Sequence, residues 1–278
     1  MRRYKLGKVH ILCDGGFGNR LGALIPGLII ADELDREPVI SWPVTKWCEC
    51  EFEDIYEPFC EVNTKTTDEL FLENINSHFL IHHNLSGREA DNPKLNLKNQ
   101  YPVHNSDLAI IIDNFKNLNS NEDIVFTNHI IPQYFSEDVI IKYLKKLNFK
   151  KSILDRIYNF CSDNNFDIDV PNTSGIHIRK TDFPSNFLLD DNQINKMVSE
   201  NKDTNFFICS DDIDTENKVN EFSNVIIHQK DNSVVTHNND RFNISRPKDS
   251  VIDGVVDMLI LSRTQILNTN FQSTFLVF

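Results

Sequence analysis

The stretch Gly175-Ile176-His177-Ile178-Arg179-Lys180-Thr181-Asp182 decides how this chain is read. A short apolar run ends there in an imidazole, two cations and a carboxylate. Open parallel sheets place their ligand crevice at the carboxyl ends of strands, so polar groups gathered at such an end point to a binding edge. Strand alternation sends His177 and Arg179 to one side and Lys180 to the other, until the strand breaks into its loop. Two more segments end alike. Phe207-Ile208-Cys209-Ser210-Asp211-Asp212 runs from apolar residues into two carboxylates, and Asp257 and Ser273 set a carboxylate and a hydroxyl sixteen positions apart. Arginine suits a pyrophosphate because its planar fork donates two bonds and its charge is permanent. The inventory suits a nucleotide sugar.

Each motif also has a plainer reading. The His177–Asp182 run is equally a surface charge cluster, Ser210-Asp211-Asp212 a helix cap, Asp257 a surface acid of an amphipathic helix and Ser273 another cap. Their conjunction in order and spacing favours the site.

Working outward, the second half alternates strand and helix. Strands are expected at 175–178, 205–209, 225–228 and 266–268, and helices at 193–200, 216–222 and 253–262. That alternation predicts a parallel sheet with helices on both faces. Ser136-Glu137-Asp138 caps a helix through Leu144, and Ile153, Leu154, Ile157, Tyr158 and Cys161 fall at helical spacing over 151–163. A domain boundary is expected between 145 and 146. In the first half, strands are expected at 9–13, 39–42, 79–82 and 124–127, with a helix over 21–34 that Pro26 blemishes. Residues 84–107 are polar and aperiodic and read as a long loop. No internal repeat is present.

Asp14-Gly15-Gly16-Phe17-Gly18-Asn19-Arg20-Leu21-Gly22 is a glycine-rich strand-to-helix turn. Such turns let backbone approach a ligand and offer a helix amino terminus to an anion. It reads as a structural tight turn, a substrate loop or a dinucleotide fingerprint. The ribose-binding acid of the last is missing, because the strand ending at Trp42 is followed by Pro43.

With 28 basic and 41 acidic residues the net charge is −13, which argues against nucleic acid as a partner. Nothing approaches the ~20 apolar residues of a membrane span, and Val9 to Cys13 is too short a run for a signal peptide. Cys48-Glu49-Cys50 has the wrong spacing for a zinc knuckle. The six scattered cysteines suggest reduced thiols in a cytoplasmic protein, with a link from Cys48 or Cys50 to Cys60 as the alternative.

These motifs resemble the fucosyltransferase superfamily of α1,6-, nodulation, bacterial α1,2- and protein O-fucosyltransferases. The resemblance covers the Gly-x-Gly-Asn loop and the three motifs of the second half; residues 43–170 contribute nothing to it. It implies an α/β fold of the GT-B type, two Rossmann-like domains facing across a cleft. Residues 1–145 would form the acceptor side and 146–278 the donor side. It implies GDP-fucose as donor, a glycan as acceptor, inversion at the anomeric carbon, and neither cofactor nor metal. By matched position, His177 and Asp257 contact guanine, and Arg179 binds the β-phosphate and stabilises departing GDP. Ser273 and Thr274 hold phosphates, Asp211 and Asp212 order the nucleotide side, and Asp182 braces the arginine loop beside Lys180. Gly16, Gly18, Asn19 and Arg20 lie across the cleft.

Departures are visible too. Lys180 replaces a second arginine, turning a bidentate contact into a point charge. Thr274 stands where the α1,6 enzymes carry an amide, and Phe187 where they carry an acid thought to act as base. Asp14 or an acid of the unmatched middle is left as base. The chain ends at Phe278, five residues past Ser273, where relatives continue into a helix, so the fold closes early or the sequence is a piece. Another nucleotide sugar, or nucleotide binding without turnover, are the competing readings; a reductase is a weaker one.

Overall fold

The computed structural model describes residues 7–74, 77–82, 100–103, 112–113, 116, 122–127, 135–167, 170–179, 191–230, 235–236 and 244–269. These fall into two compact units. One holds the described residues up to Thr45 and from Glu51 to Asn148; the other holds Lys46–Cys50 and the described residues from Phe149 on.

The first unit runs β1 (Lys8–Leu12), α1 (Phe17–Glu33), β2 (Glu37–Ser41), α2 (Phe52–Ile55), β3 (Glu61–Asn63), α3 (Thr67–Glu73), β4 (His78–His82), β5 (Gln100–Val103), β6 (Ile124–Thr127) and α4 (Glu137–Leu144). Its strands make one sheet of order β3-β2-β1-β6-β4-β5, parallel at every pairing. The order reverses at β1, so the glycine-rich turn after β1 lies at the sheet's switch point. Helix α1 is buried over most of its length, and it runs unbroken through Pro26 because that burial outweighs one missing hydrogen bond. Gly27 lets it sit on β1: a Cβ there would lie 2.6 Å from Ile11 Cγ2. Gly27→Ala therefore destabilises the unit by about 1–3 kcal/mol from overpacking, against about 1 kcal/mol gained in helix propensity. Urea unfolding checks the sign.

The second unit runs α5 (Lys151–Asn164), β7 (Thr173–Ile178), α6 (Asp191–Glu200), β8 (Asn205–Ser210), α7 (Ile213–Val219), β9 (Val225–Ile226), β10 (Val235–Thr236), β11 (Ile244–Ser245), α8 (Lys248–Leu261) and β12 (Ile266–Thr269). β10 and β11 form a small antiparallel pair, and the main sheet, β12-β7-β8-β9, is parallel throughout. Alternation divides its side chains between two faces. Ile176, Ile178, Phe206 and Ile208 pack with Ile194 and Val198 of α6 and Val219 of α7. On the other face Phe207 meets Phe160 of α5 edge-on, and Gly175 lies against Leu261 of α8, where a Cβ would stand 2.8 Å from Cδ2. Lys46–Cys50 joins this unit through bonds from Arg246 N–H to the Lys46 carbonyl (2.8 Å) and from Glu49 N–H to the Arg246 carbonyl (3.0 Å).

Several expected boundaries are corrected. Helix α1 begins at Phe17, inside the glycine turn, because Gly16 already takes the N-cap position. Helix α7 begins at Ile213, since Asp212 caps it, and α8 begins at Lys248, directly after Pro247. Part of the expected 84–107 loop is strand: Gln100–Val103 pairs with β4. Its period-two signal is too short to stand out from the polar sequence around it. Helices α2 and α3 and strand β3 were not anticipated, although Thr66 and Glu69 form a full capping box. No disulfide joins any of the six cysteines, all of which are among the described residues. No helix among the described residues is long and apolar enough to cross a membrane.

Candidate functional site

Strand β7 organises the candidate site of the second unit. β8 and β9 follow on one side of it and β12 on the other, so the chain order reverses at β7. Register sets Thr269, His177 and Cys209 level across three strands, with Ile178 beside Ser210 one step further on. His177 shares the face of Gly175 and therefore points toward α8. Arg179 follows the last residue of β7 and is half-buried; Asp211 follows the last residue of β8. Asp257 reaches the same place from the middle of α8.

His177 is buried, and burial pushes its pKa down to about 4. The carboxylates of Asp211 and Asp257 pull it upward, and Arg179 and Lys230 push it further down. The imidazole is therefore neutral at pH 7, a hydrogen-bonding group with no charge of its own. Between about pH 6.5 and 4 the unfolded chain binds this proton and the native one does not. His177 thus makes stability fall as pH drops through that window. His177→Gln should give a flatter dependence of unfolding free energy on pH there, measured by urea titration at several pH values.

Asp257 is buried, and both of its oxygens are engaged. Oδ1 lies 3.0 Å from His228 Nδ1 and Oδ2 2.7 Å from Lys230 Nζ. Lys230 also donates to Glu216 Oε1 (2.5 Å) and to the Ser210 carbonyl (3.0 Å), and Glu216 accepts the Ser210 N–H at 2.7 Å. Burial works against a charge on Lys230, but Asp257 and Glu216 outweigh it and hold the ammonium above the ordinary lysine range. Asp212 turns to local work: its carboxylate accepts from Thr215 N–H at 3.1 Å and from the Thr215 hydroxyl.

Sequence reasoning brought His177, Arg179, Asp211 and Asp257 to one sheet edge, and the structure gathers them there. It missed Lys230, His228 and Glu216. The signal was present, since Val225-Ile226-Ile227-His228-Gln229-Lys230 ends an apolar run in a cation just as the β7 stretch does. Lys180, Asp182, Phe187, Ser273 and Thr274 lie outside the described residues. No group of three or more His, Cys, Asp or Glu placed to hold a metal occurs among the described residues.

The glycine turn of the first unit is built from its own atoms. Gly15 has φ +82°, where any side chain is strained, and a Cβ would stand 3.1 Å from Asn19 Nδ2. Asp14 Oδ1 accepts the Gly15 N–H at 2.6 Å. Gly16 is the N-cap of α1, with Gly18 and Asn19 in a first turn that contains no acidic residue. Arg20 is fully buried, donates to the carbonyls of Gly15 (2.8 Å) and Pro43 (2.7 Å), and lies 4.7 Å from the Trp42 ring centre. Arg20 braces the turn.

No protein-family model matches the chain, and no curated protein does. Solved structures match over nearly its whole length. The NodZ α-1,6-fucosyltransferase co-crystallised with GDP superposes with a TM-score of 0.60 at 17% identity, covering 98% of this chain and 91% of that one. The fold is fucosyltransferase-like. Fucosyltransferase NodZ from Bradyrhizobium gives 0.60 at 16% identity, with 98% and 90% covered. POFUT1 in complex with GDP-fucose gives 0.53 at 14% identity, with 98% and 93% covered. The motif resemblance to fucosyltransferases and this likeness of fold agree, and both describe α/β units with parallel sheets. At 14–17% identity the likeness is one of fold.

Proposed function

We propose that the chain is an inverting glycosyltransferase that moves fucose from GDP-fucose to a glycan hydroxyl without a metal ion. The observation that carries this reading is the meeting of His177, Arg179, Asp211 and Asp257 at the β7 switch point, in a fold shared with proteins solved with GDP and GDP-fucose. Guanine is assigned to His177 and Asp257, and the β-phosphate to Arg179. Transfer is one in-line displacement: the acceptor oxygen attacks the anomeric carbon as its bond to the β-phosphate oxygen breaks. Charge then builds on departing GDP, and Arg179 stabilises it by its fixed positive charge, a task that metals perform elsewhere. Lys180, Ser273 and Thr274 are assigned to the phosphates, Asp182 to the arginine loop, and Asp211 to the nucleotide side, which Asp212 orders by capping α7. Gly16, Gly18 and Asn19 are assigned to the acceptor side, with Arg20 as the brace of their turn. Asp14 remains the candidate base of this segment. A reducing, cytoplasmic location is assigned from the scattered spacing of the six cysteines.

Calorimetric titration with GDP, GDP-fucose and UDP, in EDTA throughout, tests the reading. Micromolar binding of GDP and not UDP is the expected result. No binding of any nucleotide would overturn it, and GDP-fucose binding with no transfer to any glycan acceptor would reduce it to a binding protein.

A further inference from the structure

We propose that Lys230 and His228 are positioning residues that set the purine selectivity of the site by clamping Asp257 from both ends. The proposal rests on the reading that Asp257 meets guanine. Its own basis is the hydrogen-bond geometry around that carboxylate.

An ammonium group has three protons. Those of Lys230 match three acceptors, Asp257 Oδ2, Glu216 Oε1 and the Ser210 carbonyl, at 2.7, 2.5 and 3.0 Å. Lys230 is therefore saturated and has no proton to offer a base. Its side chain is 11% exposed. It orients other groups and does not read the ligand itself.

His228 holds the opposite oxygen, and its tautomer is assigned by its partners. Arg156 Nη2 stands 3.1 Å from His228 Nε2, and a guanidinium can only donate. Nε2 must accept, so the proton is on Nδ1 and is donated to Asp257 Oδ1 at 3.0 Å. Arg156 is itself anchored on Asp253 at 2.5 Å, one turn before Asp257 on α8. The His228 ring is held edge-on by Phe160, with centroids 6.0 Å apart.

An ionised carboxylate has about four in-plane acceptor positions, two on each oxygen. Among the described residues, His228 occupies one on Oδ1 and Lys230 one on Oδ2. Among these residues one position on each oxygen remains, in a carboxylate plane that the two bonds hold against rotation. That pair fits a ring edge with two adjacent N–H donors, as guanine has at N1 and the 2-amino group. It does not fit an edge that alternates donor and acceptor, as in uracil or adenine. A carboxylate free to rotate would accept one N–H from many bases; a clamped one selects for two.

Inosine diphosphate isolates the point, because it keeps the N1 proton and lacks the 2-amino group. The wild-type protein should bind GDP about 10- to 100-fold more tightly than inosine diphosphate, the effect of one hydrogen bond to a charged acceptor. Two variants remove one end of the clamp each. Lys230→Met combined with Glu216→Gln avoids leaving a second buried carboxylate unpaired, and the amide oxygen at 216 still accepts the Ser210 N–H. His228→Phe keeps the ring against Phe160 and leaves every buried charge paired. Circular dichroism and thermal melting establish which variants are folded. In each folded variant the GDP preference should shrink several-fold toward one, mostly through weaker GDP binding. An unchanged preference in a folded variant overturns the clamp while leaving the nucleotide reading intact. Equal wild-type affinity for the two nucleotides overturns the Asp257–guanine reading, and the clamp with it.

Discussion

Arg179→Ala should lower fucose transfer from GDP-fucose by on the order of 10²–10⁴, the range for losing a preorganised charge-stabilising group. The expectation comes from where Arg179 stands. It is the first residue beyond β7, at the switch point of a parallel sheet, and half-buried beside a neutral imidazole. In the proposed reaction a cation held there would meet the charge developing on the leaving diphosphate with little reorganisation. Stability should hardly change, because Arg179 lies outside the apolar faces that hold β7 in its sheet. Affinity for GDP should fall less than the rate, since the proposed role matches the group to the charge that appears at bond cleavage. Single-turnover transfer assays beside GDP calorimetry separate the two quantities. A variant that turns over at the wild-type rate would remove Arg179 from the chemistry.

Lys230→Met should destabilise the second unit by about 3–5 kcal/mol, as expected when one partner of a buried ion pair is removed. The side chains of Glu216 and Asp257 are 4% and 5% exposed, and Lys230 is the cation between them. Without it two carboxylates sit close together in a poorly solvated place. Restoring water to them requires opening the place where Glu216 of α7 and Asp257 of α8 come together beside Ser210 at the end of β8. Adding Glu216→Gln should recover part of the loss, because only one orphaned charge then remains. Urea unfolding of the wild type and both variants checks the order: wild type, then the double variant, then Lys230→Met. A single variant as stable as the wild type would mean the network does not hold this region together.

The motif that opened the reading was legible because two independent signals coincide in it. Apolar alternation marks residues 175–178 as strand, and the cluster of His177, Arg179, Lys180 and Asp182 marks the strand's exit as a ligand edge. The same coincidence placed Asp211 after β8. Elements resting on one weak signal were lost. β3 has three residues and β5 four, lengths at which alternation is not distinguishable from chance. At Pro26 the apolar run was the better guide: propensity there argues against helix, yet the helix expected across it is present, and burial along α1 overrides the proline.

Local sequence determined the class of this protein: alternating strand and helix in the second half, parallel sheets, polar groups at strand ends and a glycine turn after the first strand. These depend on periodicity and on backbone preferences within a few residues, which a sequence carries directly. The tertiary structure decided which polar groups meet. Asp257 and Lys230 are 27 positions apart and Arg156 and His228 are 72 apart, and no local rule links either pair. It also decided what each group is free to do. Arg20 looked like a ligand contact and donates through Nε and Nη2 to the carbonyls of Gly15 and Pro43, while Asp212 caps its own helix. Hydrogen-bonding capacity is finite, and only the folded arrangement shows where a side chain has already used it.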